Sequence, residues 1–276
     1  MATPIVDTEI AWPNGARCAV MLSFDFDAET LWIGRDSANW KRPGVLSHGK
    51  YGANLGVPKI LETLEDADVP ATFFVPGWTA EHHTGRVEAI VERGHEIGHH
   101  SYLHEWIDPE DPEAEEEELD KGLEALKATV GVVPTGYRSP AGETSDNMVH
   151  LLSEKGFVYD SSMMDHINPY RHASGLIELP WHWSLDDAIY SLFSIRNPRP
   201  VFANSQIKEI WQDEFCEIYA WGGLFDLVMH PQVTGRPSRV AMLREFIAWM
   251  QTFPGVWFAT GNQICEAWAA QEGDAA

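Results

Sequence analysis

Two short stretches carry residue types that together could hold and use a divalent cation: Ser23-Phe24-Asp25-Phe26-Asp27 and His100-Ser101-Tyr102-Leu103-His104. One carboxylate and two imidazoles suit zinc or a similar ion, with positions left for water and substrate. The second carboxylate, Asp25, is then free to act as a base. Residues two apart in a strand share a side, which groups Asp25 with Asp27 and sends Phe24 and Phe26 the other way. Two carboxylates closing an apolar run need a cation or donors; capping a following helix is the alternative use. The HxxxH spacing lets one turn of chain present His100 and His104 to one ion. The implied chemistry is metal-assisted hydrolysis.

A competing motif overlaps the second stretch. His95-Glu96-Ile97-Gly98-His99 matches HExxH, whose two histidines must lie on one helical face with the Glu as base. Gly94 and Gly98 disfavour helix, and the segment follows a helix that has just ended. As a strand it would turn His99 and His100 to opposite sides. His95 and His99 are therefore expected to pack against or cover the strand.

The elements that must position these groups alternate between short β-like runs and amphipathic helices. Strands are expected at Cys18–Phe26, Ala71–Val75, His95–Ser101, Thr135–Arg138, Phe157–Asp160, Leu224–Met229 and Val256–Ala259, with Leu176–Trp183 extended around Pro180. Helices are expected at Val57–Ala67, Thr79–Arg93, Asp146–Lys155, Ser205–Ala220 and Val240–Thr252, with a further helix at the C-terminus. Another begins in the acidic run Glu110–Asp120, whose charges suit a solvated helix face. Asp187–Ala203 reads as irregular. The α/β pattern predicts one domain over residues 1–276, a distorted (β/α) barrel of about seven parallel strands, with its core at about 11–261. Polar residues close several strands (Asp25, Asp27, His100, Arg138, Asp160, His230), and in a parallel barrel those ends share one face.

Composition narrows the partners. Net charge is −23, from 42 acidic and 19 basic side chains. That field repels phosphate backbones, so nucleic acid is excluded, and anionic polymers are disfavoured. No apolar run reaches the length of a membrane span. Met1–Asp7 lacks the basic start and apolar run of a secretory leader, so a cytoplasmic location is expected. Cys18, Cys216 and Cys265 are odd in number and lack a CxxC pair, which fits a reducing compartment and buried packing. The surface aromatics permit, without requiring, a homo-oligomer.

Four stretches in order, Phe24–Asp27, His100–His104, Arg138-Ser139-Pro140-Ala141-Gly142 and Leu227-Val228-Met229-His230-Pro231, resemble the polysaccharide deacetylase (NodB-homology, carbohydrate esterase 4-like) superfamily. The resemblance covers about Ala11 to Gly261. Tyr159–Met164, Glu178–Asp187 and His230–Pro237 are similar to the branch holding a bacterial peptidoglycan deacetylase, cyclic imidases and metal-independent allantoinases. It implies that Asp27, His100 and His104 bind one divalent metal: zinc, with cobalt, nickel or manganese as alternatives. It further implies Asp25 as general base, Arg138 as the residue orienting it, and His230 as the acid for the leaving nitrogen. A backbone N–H near Ala141 or Gly142 would face the developing oxyanion.

The sequence departs from the polymer deacetylases twice. Phe26 separates Asp25 and Asp27 where Asp-Asp-Gly is usual, and Ala141 replaces an aromatic residue. Of the tryptophans, Trp32, Trp181 and Trp183 are the candidate pocket walls beside Ala141 and Gly142. The expected activity is hydrolysis of a small N-acyl or cyclic amide, such as an imide or hydantoin. The alternatives are N-deacetylation of N-acetylglucosamine sugars or peptidoglycan, metal-independent allantoinase-like hydrolysis, and a catalytically silent carbohydrate-binding barrel. The roles of Asp160, His182, Asp186 and Asp187 stay open.

Overall fold

The eight residues Cys18–Asp25 form β1, and every one of them is buried. Their two faces meet different partners, as a period of two requires. Cys18, Val20, Leu22 and Phe24 join Phe26 in an apolar cluster with Ile60, Leu64, Phe73 and Phe246. Ala19 and Met21 join Phe74, Tyr159 and Leu179 in a second cluster. Phe24 also stacks on Phe73 with ring centroids 4.9 Å apart. Each phenylalanine buried this way contributes about 1.5–3 kcal/mol. A strand buried on both faces has to be apolar throughout, and the polar exceptions Ser23 and Asp25 mark where the second face changes from packing to chemistry.

In the computed structural model, which describes residues 10–195 and 198–274, β1 lies within one curled, mostly parallel sheet. The other strands are β2 (Thr72–Val75), β3 (Glu96–His99), β4 (Gly136–Tyr137), β5 (Tyr159–Asp160), β6 (Tyr170–Arg171), β7 (Ile177–Glu178), β8 (Leu224–Met229) and β9 (Val256–Phe258). Their order is β6-β7-β5-β4-β3-β2-β1-β8, with β9 pairing the start of β1. Among the described residues only the β6–β7 pair is antiparallel. Asp186 adds an isolated parallel bridge to Val228 on β8. This is the distorted (β/α) barrel expected from the alternating pattern. The antiparallel β6 is an addition the sequence did not signal, being two residues long and partly exposed.

The main helices fall close to their expected bounds: Val57–Ala67, Pro112–Val130, Asp146–Glu154, Asn204–Trp221 and Pro237–Met250. The helix expected over Thr79–Arg93 is two, Gly77–His82 and Thr84–Glu92, broken at His83 (φ −128°, ψ 34°). Its ring is drawn out of the helical path to meet Glu29 at 2.8 Å. A helical run absent from the sequence reading, Pro43–Tyr51 with a wide turn at Gly52–Gly56, leads into Val57–Ala67. Pro58 lacks the N–H that would bond the carbonyl four residues back, so the turn opens there. Asp187–Ala203 is largely irregular as expected, apart from a short helix at Ala188–Ser191. Arg196 and Asn197, and the leader reading of Met1–Asp7, lie outside the described residues. Among those residues no helix is long and apolar enough to cross a membrane.

Candidate active site

The carboxyl ends of β1, β3, β4 and β8 bring the sequence-predicted residues into one cluster. Asp25 ends β1, and Asp27 follows on the same side, its carbonyl held by Thr30 Oγ1 at 2.7 Å and Thr79 Oγ1 at 2.8 Å. His100 and His104 leave β3 on a tight loop, not a helix, with Ser101 and His104 in the left-handed region (φ 64° and 61°). Non-glycine residues pay for such backbone only where the surroundings fix it. Here Glu118 fixes it: its Oε2 accepts from Ser101 Oγ at 2.8 Å and Leu103 N at 2.9 Å. Part of the acidic helix is therefore a clamp on the histidine loop. Glu115 is buried likewise, accepting from Ser145 Oγ and Asn147 Nδ2. The solvated-face reading fails for these two because tertiary donors cover them.

His100 Nδ1 meets the Arg138 carbonyl at 2.7 Å, which makes that nitrogen the donor and leaves a lone pair on Nε2. Nε2 lies 3.4 Å from Asp27 Oδ1, and His104 Nε2 lies 3.7 Å from the same oxygen. Among the described residues, Asp27 Oδ1 and His100 Nε2 are buried without a hydrogen-bond partner. Orphaned acceptors converging in a dry site fit a divalent cation, since burial without a partner is costly. Burial alone would raise Asp27, but His104, His100 and His230 outweigh it and hold the carboxyl below its usual range. Burial lowers His104 to about 4, keeping it neutral as a ligand must be.

Arg138 is 1% exposed and is the hub of the site. Its Nη1 donates to Ser23 Oγ at 2.9 Å and Asp25 Oδ1 at 3.0 Å, and its Nη2 to Ser161 Oγ at 2.8 Å and Asp226 Oδ2 at 2.7 Å. Phe74 packs beneath the guanidinium at 4.3 Å. Asp25 Oδ1 is thereby fixed, while Oδ2 faces the cluster, 3.9 Å from His100 Nε2 and 4.0 Å from His230 Nε2. His230 Nδ1 meets Asp187 Oδ1 at 2.8 Å, and Asp187 Oδ2 also accepts from His230 N at 3.0 Å. Burial works against a charged imidazole, yet Asp186 and Asp187 override it and raise His230 well above its ordinary value.

Asp187 and Asp226 are buried carboxylates bonded to His230 and Arg138 to which the sequence reading gave no role. Neither has a motif spacing to its partner; Asp187 is 43 residues from His230. Asp160, also left open, is buried beside Glu178, and burial with that neighbour pushes it well above the carboxylate range. Its Oδ1 meets Ser162 Oγ, which accepts from Ser139 N at 2.9 Å, so the pair braces the loop after Arg138.

A cavity of about 840 Å³ is walled by chain that follows or flanks the cluster residues: Ile33 to Ser37, Leu103, Glu105, Trp106, Ala141, Glu143 and Trp183. Ala141 (φ 58°) and Trp183, two of the expected pocket residues, line this cavity. Trp32 stands apart from that wall, edge-on to His48 at 5.7 Å. Trp181 lines a separate cavity of about 390 Å³ and packs edge-on to Trp183 at 4.8 Å. Gly142 seats it: a Cβ there would lie 3.0 Å from the Trp181 ring, at φ +69°. Gly142 N–H donates to the Ser139 carbonyl at 3.0 Å. His182 lines the second cavity beside Trp181. The HExxH stretch is scaffold, as expected: Glu96 accepts from Thr72 and Tyr159, His95 lies against Phe73, and His99 meets the Leu119 carbonyl at 3.0 Å.

The polysaccharide deacetylase family model matches residues 49–159, the stretch that holds His100, His104 and Arg138. A solved Mycobacterium smegmatis structure bearing the polysaccharide deacetylase name is 41% identical over 96% of this chain and 94% of that one, with a TM-score of 0.93. The chain belongs to the polysaccharide deacetylase family. As a member it is a hydrolase of carbon–nitrogen bonds other than peptide bonds. The peptidoglycan deacetylase of Helicobacter pylori is 29% identical over 90% of this chain and 94% of its own length. The allantoinase PuuE, 23% identical over 98% of this chain and 95% of that one, shares the deacetylase fold at a TM-score of 0.84.

Proposed function

We propose that this deacetylase-family chain is a metal-dependent amidohydrolase of small N-acyl or cyclic amides, imides and hydantoins among them. One observation carries the reading: orphaned acceptors on Asp27 and His100 converge beside a carboxylate with one free oxygen and a strongly basic imidazole. Asp27, His100 and His104 would hold the ion, zinc by donor type, with cobalt, nickel or manganese as substitutes. A cation bound there supplies polarisation of the amide carbonyl and a more acidic water. Asp25 Oδ2 takes the proton of the attacking water while Arg138 pins Oδ1. His230 Nε2 protonates the departing nitrogen, and Asp187 fixes the ring that delivers it. Ala141 N–H is the remaining candidate donor for the oxyanion, since Gly142 N–H is already bonded to Ser139.

Phe26 between the two aspartates and Ala141 in place of an aromatic residue favour a small substrate, and so does the acidic surface. We read residues 1–276 as one catalytic domain, its core at about 11–261, acting in the cytoplasm. Deacetylation of N-acetylglucosamine sugars or peptidoglycan is the second reading, favoured by the description of the Helicobacter relative. Trp40, Trp106 and Trp183 around the cavity offer flat faces for sugar rings.

The test is turnover of succinimide, hydantoin, allantoin and N-acetylglucosamine oligomers by stripped and zinc-reloaded protein. Zinc-dependent opening of an imide or hydantoin is expected, reduced about 10²–10⁴-fold by Asp25→Asn with metal content retained. Turnover of the sugar oligomers alone selects the second reading. Equal activity of stripped protein selects metal-independent hydrolysis, and an active Asp25→Asn enzyme removes Asp25 as the base.

A further inference from the structure

Arg35 and Arg199 line the same cavity beside the cluster, one on the loop after Asp27 and the other beyond the Ala188–Ser191 helix. Among the described residues neither guanidinium has a hydrogen bond or ion pair; Arg35 instead lies over the Trp106 ring at 5.7 Å. In a chain with 42 acidic and 19 basic side chains, two unpaired arginines on one wall are unexpected. Arg35 is also within electrostatic reach of the chemistry. Burial pulls its pKa down, Asp27 lifts it, Arg199 pulls it down again and Asp186 lifts it slightly. Asp36, Glu105 and Glu143 share the wall, and none of the three is among the main charges that shift Arg35. Once a cation neutralises Asp27, the carboxylate that most supports the charge on Arg35 is offset, while Arg199 still opposes it. A guanidinium presents a rigid fork of donors that matches a carboxylate, and Trp106 beneath it limits the fork's orientation.

We propose that Arg35 and Arg199 form an anion subsite, and that the substrate is a small carboxylate-bearing amide. A monoanion fits better than a phosphate dianion, because the net charge of −23 penalises each added negative charge outside the local arginine field. This rests on the amidohydrolase reading of the neighbouring cluster. Both arginines are specificity residues in this proposal.

The experiment pairs acid with neutral amide: hydantoin-5-acetate with hydantoin-5-acetamide, and N-acetylmuramate with its carboxamide, all on zinc-loaded enzyme. The acid is expected to be favoured roughly ten-fold or more in kcat/KM, mainly through KM, as charge-assisted pairs are. Arg35→Ala and Arg199→Ala should bring the ratio towards one, with Arg35→Lys retaining part of it. In parallel, titration calorimetry on Asp25→Asn protein should show binding of succinate but not succinamide, lost in both alanine variants. A ratio at or below one, succinate binding that survives Arg35→Ala, or inorganic phosphate binding more tightly than succinate, overturns the proposal. Arginine-dependent succinate binding without turnover of any pair keeps the subsite and overturns the amidohydrolase reading instead.

Discussion

Asp186 and Asp187 together set how far up the pH scale His230, the proposed acid, keeps its proton. Burial opposes the charged imidazole, and the carboxylates of Asp186 and Asp187 more than compensate, so its folded pKa lies well above 6.5. The protonated form therefore persists through neutral pH, and the alkaline limb of kcat lies above that value. Asp187→Asn removes one carboxylate and should move this limb to lower pH. On the falling side kcat should then drop about ten-fold for each pH unit that the limb moves. A pH–rate profile checks it; an unmoved limb would detach His230 from the acid role. The same raised pKa stabilises the fold: its contribution is complete below about 6.5 and is lost as pH rises through the folded value. Arg138 carries the other residue-scale prediction. Arg138→Met strands Asp25 and Asp226 without their counter-ion, and the expected cost is about 3–5 kcal/mol in denaturant melts. Asp226 is already pushed up to about 6 by burial, with Arg138 opposing. Arg138 was legible because it sits in a motif. Asp187 and Asp226 were not, because their partners are remote in sequence and only the sheet brings them together.

At the scale of elements, backbone packs on backbone just behind the cluster. Gly49 lies so close to the loop after Asp27 that an added Cβ would be 2.3 Å from the Ala28 carbonyl. Ala28 itself is left-handed at φ 51°. Gly56 and Gly235 repeat the device at the loop after His230, where a Cβ on Gly56 would lie 2.1 Å from the Pro231 carbonyl. Gly49→Ala should destabilise the protein by about 1–3 kcal/mol. It should also lower kcat/KM at temperatures where the variant remains folded, because the loop that aims Asp27 must give way. Thermal melts and kinetics on the same preparation separate the two effects; full activity in the folded variant would show that the loop is not a positioning element. Nothing in the spacing of Gly49, Gly52 and Gly56 announced this, since they read equally well as turn residues. The strands, by contrast, were readable because β1, β2 and β8 are apolar except for Ser23, Asp25, Thr72 and Asp226.

For the whole molecule, the cation is expected to tie the strand ends together. Three ligands from two separate loops have no preformed site in the unfolded chain, so binding energy becomes folding energy. Stripped protein given zinc at 100–1,000 times its Kd should gain about 2.7–4.1 kcal/mol, read as a higher melting temperature that chelation reverses. No change would remove Asp27, His100 and His104 as a metal site. The cysteines report on the fold independently: Cys18 and Cys265 are buried as expected, but Cys216 is exposed on its helix rather than packed, and burial pushes the Cys18 thiol up to about 12. A thiol reagent at pH 8 should label only Cys216 in the native protein, and labelling of Cys18 would show that β1 opens. By itself the sequence determined the alternating α/β order, the buried strands, and the types and spacing of Asp25, Asp27, His100, His104, Arg138 and His230, because period and motif are local properties. Which oxygen of Asp25 faces the cluster, which carboxylates raise His230, that Glu118 holds the histidine loop, and that Arg35 and Arg199 line one cavity were decided only by the tertiary structure. Each depends on distances between chain segments tens to hundreds of residues apart, which no local pattern encodes.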